Sequence, residues 1–466
     1  MLSSQLMQLI KSLTKHDLRE MRKVVRSPYF NQREDVILLF DYIEKNIASQ
    51  KADFSKENVF KNLFPKDTYN DTQLRQIMSY LYKIIQNYLI TEGVLHDDMN
   101  STLYLLQAFQ KKNIDKLIEK QIEQSIYAIE NQQLKNALFH YSKYKIRIEE
   151  YEFFRNKNRS GELHLQSLSD ELDYFYLSER LRQSCILFAH QTHTKQNYKQ
   201  PFIESIITIL EDIIEEVPLS VSVYFYTYKT LVEPDNEQHF QYLKKIIVEN
   251  GRMFSEGELK DIYVLATNYC IRRLNNGDKQ YGIEALNLYK GRIKNGVLLE
   301  NDVLPHYTYK NILALAIKAE EFQWAEQFLN EFKKYLPEKD RENIFEYNRG
   351  IFLFRMGNYA EAMVLLQKVN LTDVLYNLDA RQLLARIYYE QNELNPLMSL
   401  IESAKVYLHR QKGIGYHHEM YANYFRFMDK MLKIDMKNPN ARKILRGEVE
   451  KTQLLAERDW LLLVLS

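Results

Sequence analysis

Glycine and proline are scarce in this 466-residue chain, at 13 and 9 residues, against average usage of about 7% and 5%. Few turns are therefore written into it. Neither sign of charge is in excess: 63 Lys and Arg face 62 Asp and Glu, a formal charge of +1. No global field draws the chain onto nucleic acid or an anionic membrane. The two cysteines, Cys185 and Cys270, lie far apart and belong to no C-x-x-C pair, a pattern that fits a reducing compartment and two buried, small apolar side chains. No run approaches the ~20 apolar residues of a membrane span, since even FIESIITILEDIIEEV carries acids on one face. The start, MLSSQLMQLIKSL, has no basic flank, apolar core and small-residue cleavage site, so it does not read as a signal peptide. A cytoplasmic protein with no membrane span is expected.

What is present is helical period. Charged residues, 27% of the chain, are dispersed, while the 45% that are apolar recur at three- and four-residue intervals, which predicts an all-α fold. The chain exceeds the ~250–300 residues that one hydrophobic core can serve, so it forms several domains or an extended array.

Residues 1–95 read as an N-terminal helical bundle. Thr14-x-x-Asp17 and Asn31-x-x-Glu34 have the spacing of capping boxes. The first opens a helix that ends at Ser27-Pro28, and the second opens one with Val36, Leu39, Phe40 and Ile43 inward. A short helix follows Ser55 and stops at Pro65. A long one runs from about Asp71 to Ile90, with Leu74, Ile77, Met78, Leu81, Ile84, Ile85 and Tyr88 as its stripe. Short helix, turn and long helix also raise an alternative, a transcriptional or signalling regulator whose last helix offers Gln73, Arg75, Gln76, Ser79, Lys83 and Asn87 to DNA. The segment has only three more basic than acidic residues, a weak electrostatic footprint, so a solvated face is the preferred reading.

Residues 96–257 continue as an array of helical hairpins. Ile114, Ile118, Ile122, Ile126 and Ile129 align in one helix, and Leu134, Leu138, Tyr141 and Ile148 in the next. The breaks are short: Asn156 to Gly161, Thr194 to Gln200, Pro218 and Pro234. His190 and His193 share a helical face, but neither an H-E-x-x-H pattern nor a third ligand accompanies them, and adjacent His417-His418 diverge by about 100°. No metal and no cofactor are expected.

Residues 258–410 repeat. Ala285, Ala325, Ala362 and Leu397 mark the second helix of successive units at spacings of 40, 37 and 35 residues. In FEYNRGIFLFRMGNYAEAMVLLQKV, Gly350 is the small residue of a first helix, Gly357 ends it, Tyr359 follows, and Ala362 lets a second helix approach. Phe322, Ala325, Leu329 and Pro337 hold the matching places in the preceding unit; Ala385, Tyr388, Leu394 and Ala404 do so in the next. This pattern resembles the tetratricopeptide repeat, and the whole chain resembles large uncharacterised bacterial helical-repeat proteins. The resemblance implies a right-handed α-solenoid of antiparallel helix pairs. It also implies a concave first-helix face for peptides, here carrying Tyr307, Lys310, Lys318, Tyr347, Arg355, Gln382, Arg386 and Tyr389. Of the Lys, Asn and Arg clamp that some such domains use for a terminal carboxylate, Lys310 and Asn348 fit, while Ala314, Asp379 and Leu383 do not.

Residues 411–466 read as a helical cap. After Gly413 and Gly415 one helix runs through Tyr421, Tyr424, Phe425, Met428 and Leu432 to Asn438-Pro439, and a last one from about Thr452 docks Leu454, Leu455, Trp460, Leu461 and Leu463. No Gly-rich phosphate loop, nucleophile elbow, kinase signature or zinc-ligand run appears. The expected function is a non-enzymatic scaffold or adaptor for a protein or peptide partner; a nucleic-acid partner is the lesser reading.

Overall fold

The computed structural model describes residues 2–47, 53–157, 163–194, 196–369, 373–411 and 414–466. Gly161 and Gly413, two of the anticipated breaks, lie outside the described residues, as does the side chain of His193. The fold is all-α, with no strand among the described residues beyond a single bridge between Glu300 and Val303. The chain divides into two compact units, Met1–Gln132 with Leu138–Phe175, and Gln133–Ala137 with Tyr176–Ser466.

In the first unit, α1 (Gln5–Ser12), α2 (Lys15–Arg26), α3 (Glu34–Asn46), α4 (Lys56–Leu63) and α5 (Asp71–Leu95) share one core built from Met7, Val25, Phe40, Phe60, Leu74 and Ile77 with their neighbours. The Thr14–Asp17 box is formed: the Asp17 amide donates to Thr14 Oγ1 at 3.1 Å, and the Thr14 amide donates to Asp17 Oδ2 at 2.8 Å. The Asn31 box is not. Its amide group donates to the carbonyls of Val25 and Arg33 at 2.8 and 2.9 Å, so α3 starts after Arg33 without a side-chain cap. All seven stripe residues of α5 are buried.

A second core joins α6 (Asp98–Lys111), α7 (Asp115–Glu130) and α8 (Ala137–Lys157) through Leu106, Ile118, Ile122, Ile129, Ile146 and Phe153. Here the expected face of α8 is corrected: Leu138 is 64% exposed and Leu134 and Tyr141 are also outside. His140, Glu149 and Glu150 are buried instead. They go inside as partners, which removes most of the penalty for burying a lone charge. His140 Nδ1 meets Glu171 Oε2 at 2.6 Å, Lys143 reaches the other oxygen at 3.1 Å, Arg147 pairs with Glu150 at 2.6 Å, and Gln107 donates to Glu149 at 2.7 Å.

The second unit takes α9 (Leu165–His193) from Tyr176 onward, followed by α10 (Ile203–Ile213), α11 (Leu219–Val232), α12 (Glu237–Asn250), α13 (Glu256–Asn275), α14 (Gln280–Lys294), α15 (His306–Lys318), α16 (Phe322–Phe332), α17 (Arg341–Arg355), α18 (Tyr359–Lys368), α19 (Val374–Glu390), α20 (Leu394–Arg410), α21 (Tyr416–Lys433), α22 (Pro439–Lys451) and α23 (Arg458–Val464). Consecutive helices pack as neighbours: α11 on α12, α13 on α14, α15 on α16, α17 on α18 and α19 on α20. The first helices also meet one another, α15 with α17, α17 with α19 and α19 with α21.

Small residues make these contacts possible. Ala285, Ala325 and Ala362 are fully buried, as is Leu397. Gly357 ends α17 at φ +80°, the left-handed region where a side chain is disfavoured. Pro337 lies beyond α16, opening the short turn Glu338–Asp340.

The end of the chain departs from expectation. Asn438-Pro439 opens a helix: Asn438 Oδ1 accepts the amides of Asn440 and Ala441, and Pro439 occupies the first turn, where its missing N–H costs nothing. The last helix begins at Arg458, not Thr452. Trp460 and Leu461 are buried, while Leu463 is 70% exposed. No helix among the described residues is long and apolar enough to cross a membrane.

Candidate binding surface

Six of the eight anticipated groove residues fall into two clusters on the first helices of the second unit. In the first, Tyr307 and Lys310 of α15, Tyr347 of α17, Tyr376 and Asp379 of α19, and Tyr421 of α21 converge. Lys310 Nζ lies 2.5 Å from Asp379 Oδ2, and 4.8 and 5.4 Å from the ring centroids of Tyr376 and Tyr347. Tyr347 donates to the same carboxylate oxygen at 3.0 Å, and Tyr421 donates to the other. Tyr307 donates to Asp373, which caps α19. Burial, then the nearby carboxylate, pushes the phenols of Tyr347 and Tyr421 upward, and the hydrogen bond to Asp373 pushes Tyr307 up to about 12. All three therefore remain protonated donors at neutral pH.

Tyr347 is thus not a free groove residue. It is 1% exposed, and Lys310 is already ion-paired. Asn348 is fully buried and donates to the Ile344 carbonyl at 2.7 Å, so of the two positions that fit the carboxylate clamp one is already ion-paired and the other is closed to solvent.

The second cluster surrounds Arg386. Its guanidinium packs against the rings of Phe354 and Trp460, with centroids at 4.9 and 5.2 Å. It donates to Glu390 at 2.8 Å and to Glu457 at 2.7 Å. The Trp460 indole N–H donates to Glu390 at 2.8 Å, and Tyr389 meets that ring edge-on at 5.7 Å. A cleft of about 480 Å³ opens alongside, lined by Arg355, Arg386, Leu463 and the segment Glu457–Trp460, Arg458 included. Arg355 is exposed there and takes part in no ion pair among the described residues.

Lys318 is exposed at the end of α15, and Gln382 is half-buried, its carbonyl accepting from Tyr424 at 3.1 Å. Sequence reasoning missed Glu390, Tyr376, Tyr421 and Glu457 as members of these clusters. Arg386 and Glu390 stand at i and i+4, a readable pairing; Glu457 is 71 residues from Arg386, and nothing local announces it.

In the first unit, Arg75, Gln76, Ser79, Lys83 and Asn87 lie exposed along α5 and Gln73 is half-buried; Arg75 is ion-paired with Asp71. His190 is exposed, with Nδ1 2.8 Å from the Tyr198 hydroxyl. The chain matches no family model, no curated protein and no solved structure.

Proposed function

We propose that the protein is a non-enzymatic, cytoplasmic interaction scaffold whose second unit contains tetratricopeptide-like repeats in a right-handed solenoid of antiparallel helix pairs. The partner is a protein or peptide bound on the face of the first helices. The observation that carries this reading is the convergence of α15, α17, α19 and α21. Their packing brings Arg386 and the exposed Arg355 to one open cleft, and Tyr307 is exposed on the same run of first helices. Aromatic and arginine side chains supply large contact area with directional donors, the chemistry enriched in protein-binding hot spots.

Photo-crosslinking tests the assignment of the face. A photoreactive residue at Lys318 or Arg355, both exposed on first helices, should capture a partner in cells. The same residue at Glu326 or Val364, both exposed on second helices, should not. Equal capture from both pairs of positions would remove the first-helix face as the binding surface.

A further inference from the structure

The segment from Glu457 to Trp460 touches the proposed surface as a ligand would. Glu457 has a left-handed backbone, φ 50° and ψ 34°, which a non-glycine residue adopts only at some cost. That conformation turns its carboxylate onto Arg386. Three residues on, the Trp460 ring packs against the same guanidinium, meets Tyr389 edge-on and donates to Glu390. An acidic residue followed at the third position by an aromatic one thus satisfies a cation, an aromatic wall and a carboxylate together. The same cleft is also lined by Arg355, an exposed cation that forms no ion pair among the described residues, beside Arg458 and Asp459 of the segment.

We infer that the Phe354–Arg386–Tyr389–Glu390 surface is a peptide site for an acidic-x-x-aromatic segment, and that the chain's own Glu457–Trp460 occupies it as an autoinhibitory stand-in. This rests on the reading of the first-helix face as a binding surface and adds the partner's chemistry and its regulation. The resident segment has the advantage of being tethered. An intramolecular ligand acts at an effective concentration that can reach millimolar, so a partner must either offer more than Glu457 and Trp460 or reach Arg355 as well. A second acidic residue, placed to meet Arg355, is the feature that would let it win. A site closed most of the time weakens the apparent affinity of any competitor in proportion to the open fraction.

The test uses the full chain and a fluorescein-labelled peptide of the sequence QLLAERDWLL, residues 453–462, followed by fluorescence polarisation. Two variants open the site: Trp460→Ala removes the aromatic anchor, and Glu457→Gly removes the carboxylate while suiting the left-handed backbone, so folding is preserved in at least the second. The peptide should bind Glu457→Gly or Trp460→Ala at least tenfold more tightly than wild type, and adding Arg386→Glu to either should abolish the gain. If the peptide binds the folded variants no better than wild type, the segment is a fixed structural cap and the inference fails. This readout involves no cellular partner, so its failure is distinguishable from failure of the binding face itself.

Discussion

A Cβ built on Gly350 would lie 2.8 Å from Leu366 Cγ and 2.9 Å from its Cδ2, so α17 and α18 meet where only glycine fits. Gly350→Ala gains up to about 1 kcal/mol in helix propensity. It loses about 1–3 kcal/mol by overpacking, because the atom struck is the branch point of a buried leucine and not a flexible tip. Net destabilisation is expected in chemical denaturation. A variant more stable than wild type would show that these helices do not approach as closely as described.

Asp379 is the acceptor for one lysine and two tyrosines drawn from three other helices. Asp379→Ala leaves the buried hydroxyls of Tyr347 and Tyr421 without that acceptor, at about 1–3 kcal/mol for each unsatisfied group, and leaves Lys310 unpaired. A drop in the urea midpoint of the second unit is expected. A loss under about 0.5 kcal/mol, the range of an ordinary surface change, would mean that water replaces the carboxylate and that the cluster does not tie the first helices together.

The two cysteines are free and 1% and 0% exposed. Burial pushes both thiols far above their usual range, which suppresses the reactive thiolate. Neither should react with Ellman's reagent in native buffer over minutes, and both should react at once in denaturant. Rapid native labelling of Cys185 would show α9 and α11 to be loosely packed around it.

Glu171 carries a pH dependence. Burial alone would raise its carboxyl, but the hydrogen bonds and charges of His140 and Lys143 outweigh that and hold it below the ordinary value. A folded pKa below the unfolded one contributes stability above the unfolded value, about 4.3 for glutamate, and loses it as pH falls through the folded value. Glu171→Gln should therefore cost ~3–5 kcal/mol at pH 7, as expected for removing one member of a buried ion pair, with the gap to wild type narrowing below pH ~4. A gap that stays constant between pH 7 and 3 would show that the carboxylate charge contributes nothing.

Periodicity made the helices legible wherever apolar residues alone decided the inner face. All seven stripe residues of α5 were readable because each lies three or four positions from another of them. Where polar residues decide, the pattern fails. On α8 the buried partners of Glu171 and Gln107 displaced Leu138 and Tyr141 to the outside, and no spacing rule distinguishes a buried His140 from an exposed one. Asn31 has the spacing of a cap, but the carbonyls of Val25 and Arg33 capture its side chain. Asn438-Pro439 illustrates the converse, since the same dipeptide can stop one helix or start another. Of the candidate surface, the first-helix residues stand in register in the sequence, whereas the contacts they make with Asp379, Tyr421 and Glu457 are created only by the tertiary structure.

The scaffold reading stands or falls on the cations of the first-helix face that make no ion pair in the fold. Lys318 and Arg355 are exposed and form no ion pair among the described residues, so Lys318→Glu/Arg355→Glu should change stability by no more than about 0.5 kcal/mol per site. Quantitative affinity capture from cells should then show at least one protein retained by the wild type and lost from the double variant, while the two melt at the same temperature. An identical set of captured proteins would contradict the account.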